Sequence, residues 1–189
     1  MKKLFIVAIL AICTMSAQAK IVNLGASVGM VNEKMEIVEY VDFGRSTGYE
    51  VSAVADFGLI PLLGVSAQVR YASQNFSSGD GDKLKSVSLD VPVLASFSIF
   101  GPIKIEAGPR FSLYDKADIT YADGTESEFG RMRPEVGYTV GAKVSLFGKL
   151  FVAARYNGHF GDYLADIMYT TSAYYVNSSS YSITAGFTF

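Results

Sequence analysis

The chain has 189 residues, of which 16 are basic and 18 acidic, with a formal net charge of −2 and a single cysteine. Half of the residues are apolar and 18% are charged, below the roughly 25% that is usual in soluble domains. The mild acidity argues against nucleic acid as a partner, because nucleic-acid binding favours a basic patch. No stretch after Ala19 is apolar for long enough to form a spanning helix, which favours an exported chain that distributes its apolar residues by alternation.

The N-terminus has the pattern of a secretory signal peptide. Lys2 and Lys3 are basic, an apolar run follows from Leu4 to Cys13, and Ala17-Gln18-Ala19 is a small-x-small cleavage site. We therefore expect a signal peptide at residues 1–19 and a single mature domain at residues 20–189, which the patterns below identify as an outer-membrane β-barrel.

Two consequences follow from cleavage after Ala19. The only cysteine is removed, so the mature chain has no disulfide, and its charge becomes 14 basic against 18 acidic residues. A lipoprotein with lipid on Cys13 is the alternative, but Ile12 is large for the position before a lipidated cysteine.

Alternating apolar and polar residues predict an all-β fold, an eight-stranded antiparallel up-and-down transmembrane β-barrel. The predicted strands span residues 21–30, 47–57, 63–72, 86–98, 103–114, 135–147, 149–158 and 179–189. Short turns lie near residues 58–62, 99–102 and 148. Long polar segments, which we expect to be mobile loops, lie at about 31–46, 73–85, 115–134 and 159–178. Short periplasmic turns and long extracellular loops predict a location in the bacterial cell outer membrane.

The last strand shows the clearest two-residue period. Tyr181, Ile183, Ala185, Phe187 and Phe189 share one face, and small polar residues share the other. A final strand that ends on an outward aromatic residue is typical of a barrel's closing strand. We expect this strand to be recognised by the barrel-assembly machinery.

Aromatic residues on the apolar face are sorted by strand end, which predicts two girdles at the bilayer interfaces. At the long-loop end lie Tyr49, Tyr71, Tyr138, Tyr156 and Tyr181. At the short-turn end lie Phe57, Phe97, Phe187 and Phe189. Outer-membrane lipid is therefore an expected partner.

The alternatives to a membrane barrel with aromatic girdles are ordinary core aromatics and a soluble lipocalin-like binder. The polar face of a lipocalin-like barrel would carry Lys and Glu, whereas here it is mostly small, which suits a narrow lumen.

Larger polar-face residues of alternating charge recur once in each of strands two to seven. This predicted lumen charge ring consists of Glu50, Arg70, Asp90, Arg110, Glu135 and Arg155. Turns centred near residues 60 and 100 predict Glu50 opposite Arg70 and Asp90 opposite Arg110, with salt bridges across the lumen. The interpretations are a polar core that closes the barrel or a gate in a small diffusion pore, and closure is favoured because side chains fill an eight-stranded interior. Deeper charges that would add to the filling are Lys104, Glu106 and Lys143.

Two neighbouring strands carry a family resemblance. Leu89-Asp-Val-Pro-Val-Leu-Ala-Ser-Phe97 followed by Ile105-Glu-Ala-Gly-Pro109 resembles the PorT-type outer-membrane β-barrel family, in which an (I/L)P-L-L strand precedes one with E-x-G-P. The resemblance implies an eight-stranded barrel with Pro92, Gly108 and Pro109 as structural features, and it carries over no catalytic residues. Strand register places Pro92 almost opposite Pro109, so we expect a bulge or a break in pairing there.

No catalytic, cofactor-binding or metal site is predicted, and the protein is expected not to be an enzyme. A lipid-modifying enzyme based on His159 is an alternative, but no serine lies near it on the same strand. Asp80 and Asp82 are too few ligands for a clear Ca²⁺ site. We predict a non-enzymatic, structural or partner-binding barrel that contacts an unknown protein partner through extracellular segments 115–134 and 159–178.

Overall fold

The computed structural model describes residues 22–37, 41–60, 62–77, 81–129, 136–160, 163–166 and 173–189. Residues 1–19 and Glu135 lie outside these ranges, so the signal peptide and the place of Glu135 in the charge ring stay predictions. None of the described residues belongs to a helix long and apolar enough to cross a membrane.

The described chain forms ten β-strands. They are β1 (Val22–Ile37), β2 (Val41–Ile60), β3 (Leu63–Ser77), β4 (Lys83–Phe100), β5 (Ile103–Thr120), β6 (Glu126–Phe129), β7 (Val136–Leu146), β8 (Leu150–His159), β9 (Tyr163–Asp166) and β10 (Ala173–Thr188).

Eight of the strands close into an antiparallel barrel. Successive neighbours are β1, β2, β3, β4, β5, β7, β8 and β10, and β10 pairs back with β1, with Gly25 opposite Thr188. The short strands β6 and β9 pair with the outer parts of β5 and β10. The predicted eight-stranded up-and-down barrel is confirmed.

Alternation along each strand separates a lumen face from an outward face. In β1, Ser27 is buried inside, whereas Val28 and Met30, one and three residues later, point outward and are 58% and 64% exposed. Small residues let the ring close tightly. A Cβ on Gly29 would overlap the backbone of Ile183 and Thr184 in β10, so the close approach of these two strands requires glycine there.

The strands are longer than predicted at the long-loop end. The segments 31–46 and 73–85, predicted as loops, are largely the arms of the β1–β2 and β3–β4 hairpins, and residues up to Thr120 belong to β5. The loop prediction is therefore wrong for these parts. The physical reason is that inward apolar positions continue into the segments, as Met35 and Leu84 show, and both are fully buried.

Tight turns join the strands at the other end and within the β5–β6 hairpin. Gly101 and Gly148 have φ of 53° and 78°, left-handed values that favour glycine, and they follow β4 and β7. In the β5–β6 turn, Asp123 Oδ1 accepts a hydrogen bond from the Thr125 amide at 2.8 Å. That backbone hydrogen bond stabilises the carboxylate and lowers the pKa of Asp123.

Candidate functional site in the barrel lumen

An outer polar layer is centred on Arg70 in β3. Its Nε donates to Glu50 Oε2 at 2.6 Å, and its Nη1 donates to Asp90 Oδ2 at 3.0 Å. Arg110 Nη1 lies 3.7 Å from the same Asp90 oxygen. The side chains of Glu50 and Asp90 are at most 2% exposed. Two guanidinium groups therefore balance two buried carboxylates, which is the arrangement that offsets the cost of removing charges from water.

The cross-strand pairs in this layer differ from the predicted ones. Glu50 lies opposite Ala72 instead of Arg70, and Arg110 lies opposite Pro92 instead of Asp90, so both predicted oppositions are wrong. The turns are centred later than predicted, with Ile60 opposite Leu63 and Phe100 opposite Ile103, and this shifts the register. The long arginine side chains still reach the carboxylates because diagonal neighbours lie within their reach.

Pro92 lies almost opposite Pro109, as predicted, because its partner in β5 is the adjacent Arg110, while Pro109 pairs with Tyr138 of β7 on the other side of β5. The expected interruption does occur around Pro92. The β3–β4 ladder has no pairs between Ala67–Val93 and Arg70–Asp90, and the β4–β5 ladder resumes only at Ala95. A proline lacks the amide that a ladder needs, which accounts for the gap.

An inner polar layer lies nearer the short turns. Glu106 Oε2 accepts hydrogen bonds from Arg155 Nε at 3.1 Å and Arg155 Nη2 at 2.8 Å. Lys143 Nζ lies 4.0 Å from Glu106 Oε1 and donates to Asp56. Arg155 thus pairs with a residue of this deeper layer instead of continuing a single ring. Asp56 was not among the predicted lumen charges, although it lies on the inward face of β2 six residues after Glu50.

Apolar side chains fill the lumen beside the inner layer. Phe151 of β8 is 2% exposed and packs with Val54 and Ala153. Lys143 Nζ lies 4.4 Å from the centre of the Phe151 ring, a cation–π contact. Phe151 is opposite Gly186 of β10, and because glycine has no side chain there is room for the ring. An aromatic residue paired with glycine therefore closes this level of the barrel.

A second apolar group, which we call the apolar cap, lies on the inward face at the long-loop end. It consists of Val31, Met35, Phe76, Leu84, Ala117 and Ile119, each at most 5% exposed. Phe76, Leu84 and Ile119 are direct cross-strand neighbours. The cap was not predicted, because most of its residues lie in segments for which the sequence predicts loops. The signal was present as continued two-residue alternation.

His159 lies between the outer layer and β10. Its Nε2 is 2.8 Å from Ser178 Oγ, and Arg110 Nη2 is 3.2 Å from its Nδ1. A serine that the sequence did not place near His159 is therefore in contact with it. In a catalytic Ser–His pair a carboxylate normally orients the ring, whereas the charged group that the hydrogen-bond geometry places against His159 Nδ1 is the Arg110 guanidinium.

The described residues contain no group of three or more His, Cys, Asp and Glu side chains that could hold a metal ion. Asp80 lies outside the described residues. Asp82 Oδ1 accepts a hydrogen bond from the Ala122 amide at 3.0 Å, which links the β3–β4 hairpin to the β5–β6 turn.

Aromatic residues meet across strands on the outward face. Near the long-loop end the rings of Tyr138 and Tyr156 are 6.1 Å apart, those of Tyr156 and Tyr181 are 4.9 Å apart, and Tyr49 lies 6.4 Å from Tyr71. We call these five residues the tyrosine belt.

At the opposite end the rings of Phe187 and Phe189 are 6.2 Å apart, and Phe97 is 47% exposed. Phe57 pairs with Val65 in the same region. Between the two ends the outward face is apolar, with Ile183 65% exposed. A continuous apolar band of this kind suits the hydrocarbon core of a bilayer.

No protein-family profile matches the chain, and no curated protein sequence matches it. Solved structures that share its fold include the following two. Ail, the attachment invasion locus protein of Yersinia pestis, crystallised with the heparin analogue sucrose octasulfate, superimposes with a TM-score of 0.59 at 14% identity, covering 89% of this chain and 99% of Ail. Neisserial surface protein A superimposes with a TM-score of 0.57 at 18% identity, covering 88% of this chain and 97% of that protein. The chain is a small eight-stranded β-barrel of the bacterial outer membrane.

Proposed function

We propose that this protein is a non-enzymatic outer-membrane β-barrel whose lumen is closed, and which acts as a structural or partner-binding protein through its extracellular end. The observation that carries the proposal is the stacking of two buried charged layers beneath the apolar cap. Arg70 and Arg155 each hold a buried carboxylate, and the cap residues are almost fully buried.

A pore is the weaker proposal on energetic grounds. An open lumen would require paired groups such as Arg70 and Glu50 to separate, and it would expose apolar cap residues to water. Leaving one partner of a buried ion pair unpaired costs about 3–5 kcal/mol. Exposing a buried Leu or Phe side chain costs roughly 1.5–3 kcal/mol. A closed barrel therefore fits the interior better than a conducting one.

The extracellular end offers a surface for a protein partner. The β1–β2, β3–β4 and β5–β6 hairpins extend beyond the tyrosine belt and present exposed side chains, among them Arg45 and Tyr121. Arginine and tyrosine are enriched in protein interfaces. Segment 115–134 contributes Tyr121 to this surface, while most side chains of segment 159–178 lie outside the described residues.

Two finer proposals accompany this function. Membership of the PorT-type family rests on the Pro92–Leu94 and Glu106–Pro109 motifs. Recognition by the barrel-assembly machinery rests on β10, whose outward face carries Ile183 and Phe187.

Single-channel recording in a planar bilayer tests the closed lumen. The refolded mature protein, residues 20–189, is compared with Arg70→Ala/Arg110→Ala and with Arg45→Ala, which removes an outward-facing arginine. We expect no steady current from the native protein or from Arg45→Ala. We expect current events only when the outer polar layer is removed. Steady, salt-dependent current through the native protein would instead identify a pore.

A further inference from the structure

A shallow apolar furrow crosses the outward face of the barrel at membrane depth. It is about 650 Å³ in volume and extends from β10 across β1 and β2 to β4. Its lining includes the small residues Ala26, Ala53 and Ala185, and it reaches Tyr71 and Leu89 at the tyrosine belt. Small side chains between larger ones leave a depression, and its volume is large enough for one or more hydrocarbon chains.

A second groove, also about 650 Å³, lies beyond the tyrosine belt on β3, β4 and β5. It is lined by Lys83, Lys85 and Lys116, with Asp118 and Glu126 as its acidic residues. Lys83 and Lys85 are exposed because they alternate with the buried Leu84, so their side chains point away from the lumen.

Charge pairing in this lysine groove is incomplete. Lys116 Nζ lies 3.2 Å from Asp118 Oδ1, which neutralises one lysine. Within the part of the chain that the structure describes, Lys83 and Lys85 make no ion pair. Two ammonium groups are thus available to an anionic group, and a lysine ammonium is a suitable point charge for phosphate.

The furrow and the lysine groove lie on the same two strands. Tyr71 is opposite Leu89 at the top of the furrow, and Asn75 is opposite Lys85 in the groove. Four residues separate these two pairs, a distance of about 13 Å along the strands at roughly 3.3 Å per residue. A molecule with hydrocarbon chains and an anionic headgroup can therefore contact both at once.

We propose that this face binds a phosphorylated glycolipid of the outer leaflet, with acyl chains in the furrow and a phosphate on Lys83 and Lys85. The furrow lies on the outward face, and Lys83 and Lys85 above it also point away from the lumen, which favours a lipid over a soluble anion. Charge complementarity adds to apolar contact, since basic residues are attracted to anionic lipid headgroups. The proposal does not depend on whether the lumen is closed.

Native mass spectrometry of residues 20–189 in detergent tests the headgroup contact. The probes are diphosphorylated lipid A and the same lipid with its phosphates removed. We expect the native protein to prefer the phosphorylated lipid. We expect Lys83→Gln/Lys85→Gln to weaken that binding about tenfold or more, in line with two lost surface charges. The control for the single change Lys85→Gln is Lys149→Gln. Lys149 lies at the opposite end of the barrel, and its substitution should leave lipid binding unchanged.

A substitution in the furrow tests the acyl contact. Ala53→Phe fills the depression on a lipid-facing surface and should weaken binding of both lipids without affecting the fold. Inositol hexakisphosphate serves as the acyl-free probe. The proposal is overturned by equal affinity for the two lipids, by equal effects of Lys85→Gln and Lys149→Gln, or by tight binding of inositol hexakisphosphate that Ala53→Phe leaves intact. The last outcome would assign the lysines to a soluble polyanion.

Discussion

The two sides of the barrel differ in how far their strands extend beyond the tyrosine belt. Strand β3 continues six residues past Tyr71, whereas β8 ends three residues past Tyr156. The longer extension carries Phe76, which is buried, while the shorter one carries the polar inward residues Asn157 and His159. The comparison indicates that a strand continues beyond the membrane where it can bury an apolar side chain inside, because a solvated hairpin alone is only marginally stable.

The largest loss of stability is expected from a substitution in the outer polar layer, which lies in the lumen between the two sides of the barrel. Arg70→Ala leaves the carboxylates of Glu50 and Asp90 without their closest cation. We expect a loss of about 3–5 kcal/mol in the free energy of unfolding. Urea unfolding of the refolded barrel in lipid vesicles measures it. Arg45→Ala, on the outward face, is the control and should change stability by less than about 1 kcal/mol. Equal losses of stability in Arg70→Ala and Arg45→Ala would show that the buried ion pairs of the layer do not stabilise the barrel more than a surface arginine does.

A somewhat smaller effect is expected from the apolar cap on the long side. Phe76→Ala removes a ring that is 1% exposed, and a buried Phe→Ala change costs roughly 3–5 kcal/mol, with the lower end expected where a hairpin can relax into the space. The loss should be local, so limited proteolysis should cut the β3–β4 hairpin faster than in the native barrel. Phe100→Ala, at a 79% exposed position, is the control. Unchanged proteolysis of the Phe76 variant would contradict the role of the cap.

The smallest effect concerns the inner level of the short side. A Cβ on Gly186 would overlap Phe151 Cζ and lie 2.7 Å from the carbonyl oxygen of Ala26. We expect Gly186→Ala to lower stability by about 1–3 kcal/mol through overpacking. Gly58→Ala is the matched control because nothing lies within 4 Å of its added methyl. Urea midpoints distinguish the two variants, and equal midpoints would show that the ring is free to move aside.

Alternation predicted which residues face the lumen, and for that reason the eight strands and most buried charges could be placed from the sequence. It could not predict register, because register depends on turn geometry. The β2–β3 turn places Ile60 opposite Leu63, and as a result Glu50 lies opposite Ala72. A bulge opposite Leu89 and Asp90 also reverses the facing of β5, so that Asp115 points inward after the outward Leu113 and Tyr114.

Strand ends were predicted less well than strand centres. Segments such as 73–85 contain Ser, Gly and Asp, which suggested loops, yet Phe76 and Leu84 keep the inward period across them. The partner of Arg155 was equally hidden, since Glu106 lies on β5, which is two strands away from β8 in the barrel. Contacts across a lumen depend on the closed ring, and no local sequence pattern contains that information.

Thiol labelling tests the closed lumen most directly. The only cysteine of the chain, Cys13, lies in the predicted signal peptide, so residues 20–189 provide a cysteine-free background. Ser182→Cys places a thiol opposite Arg155 at a position that is 3% exposed, and Ser77→Cys places one at an exposed position. We predict that a charged thiol reagent modifies Ser182→Cys roughly 100-fold or more slowly than Ser77→Cys in the folded barrel, since a buried group reacts only after opening. Both should react equally in urea. Equal rates in the folded barrel would mean that water and ions pass through the lumen, and would contradict the account.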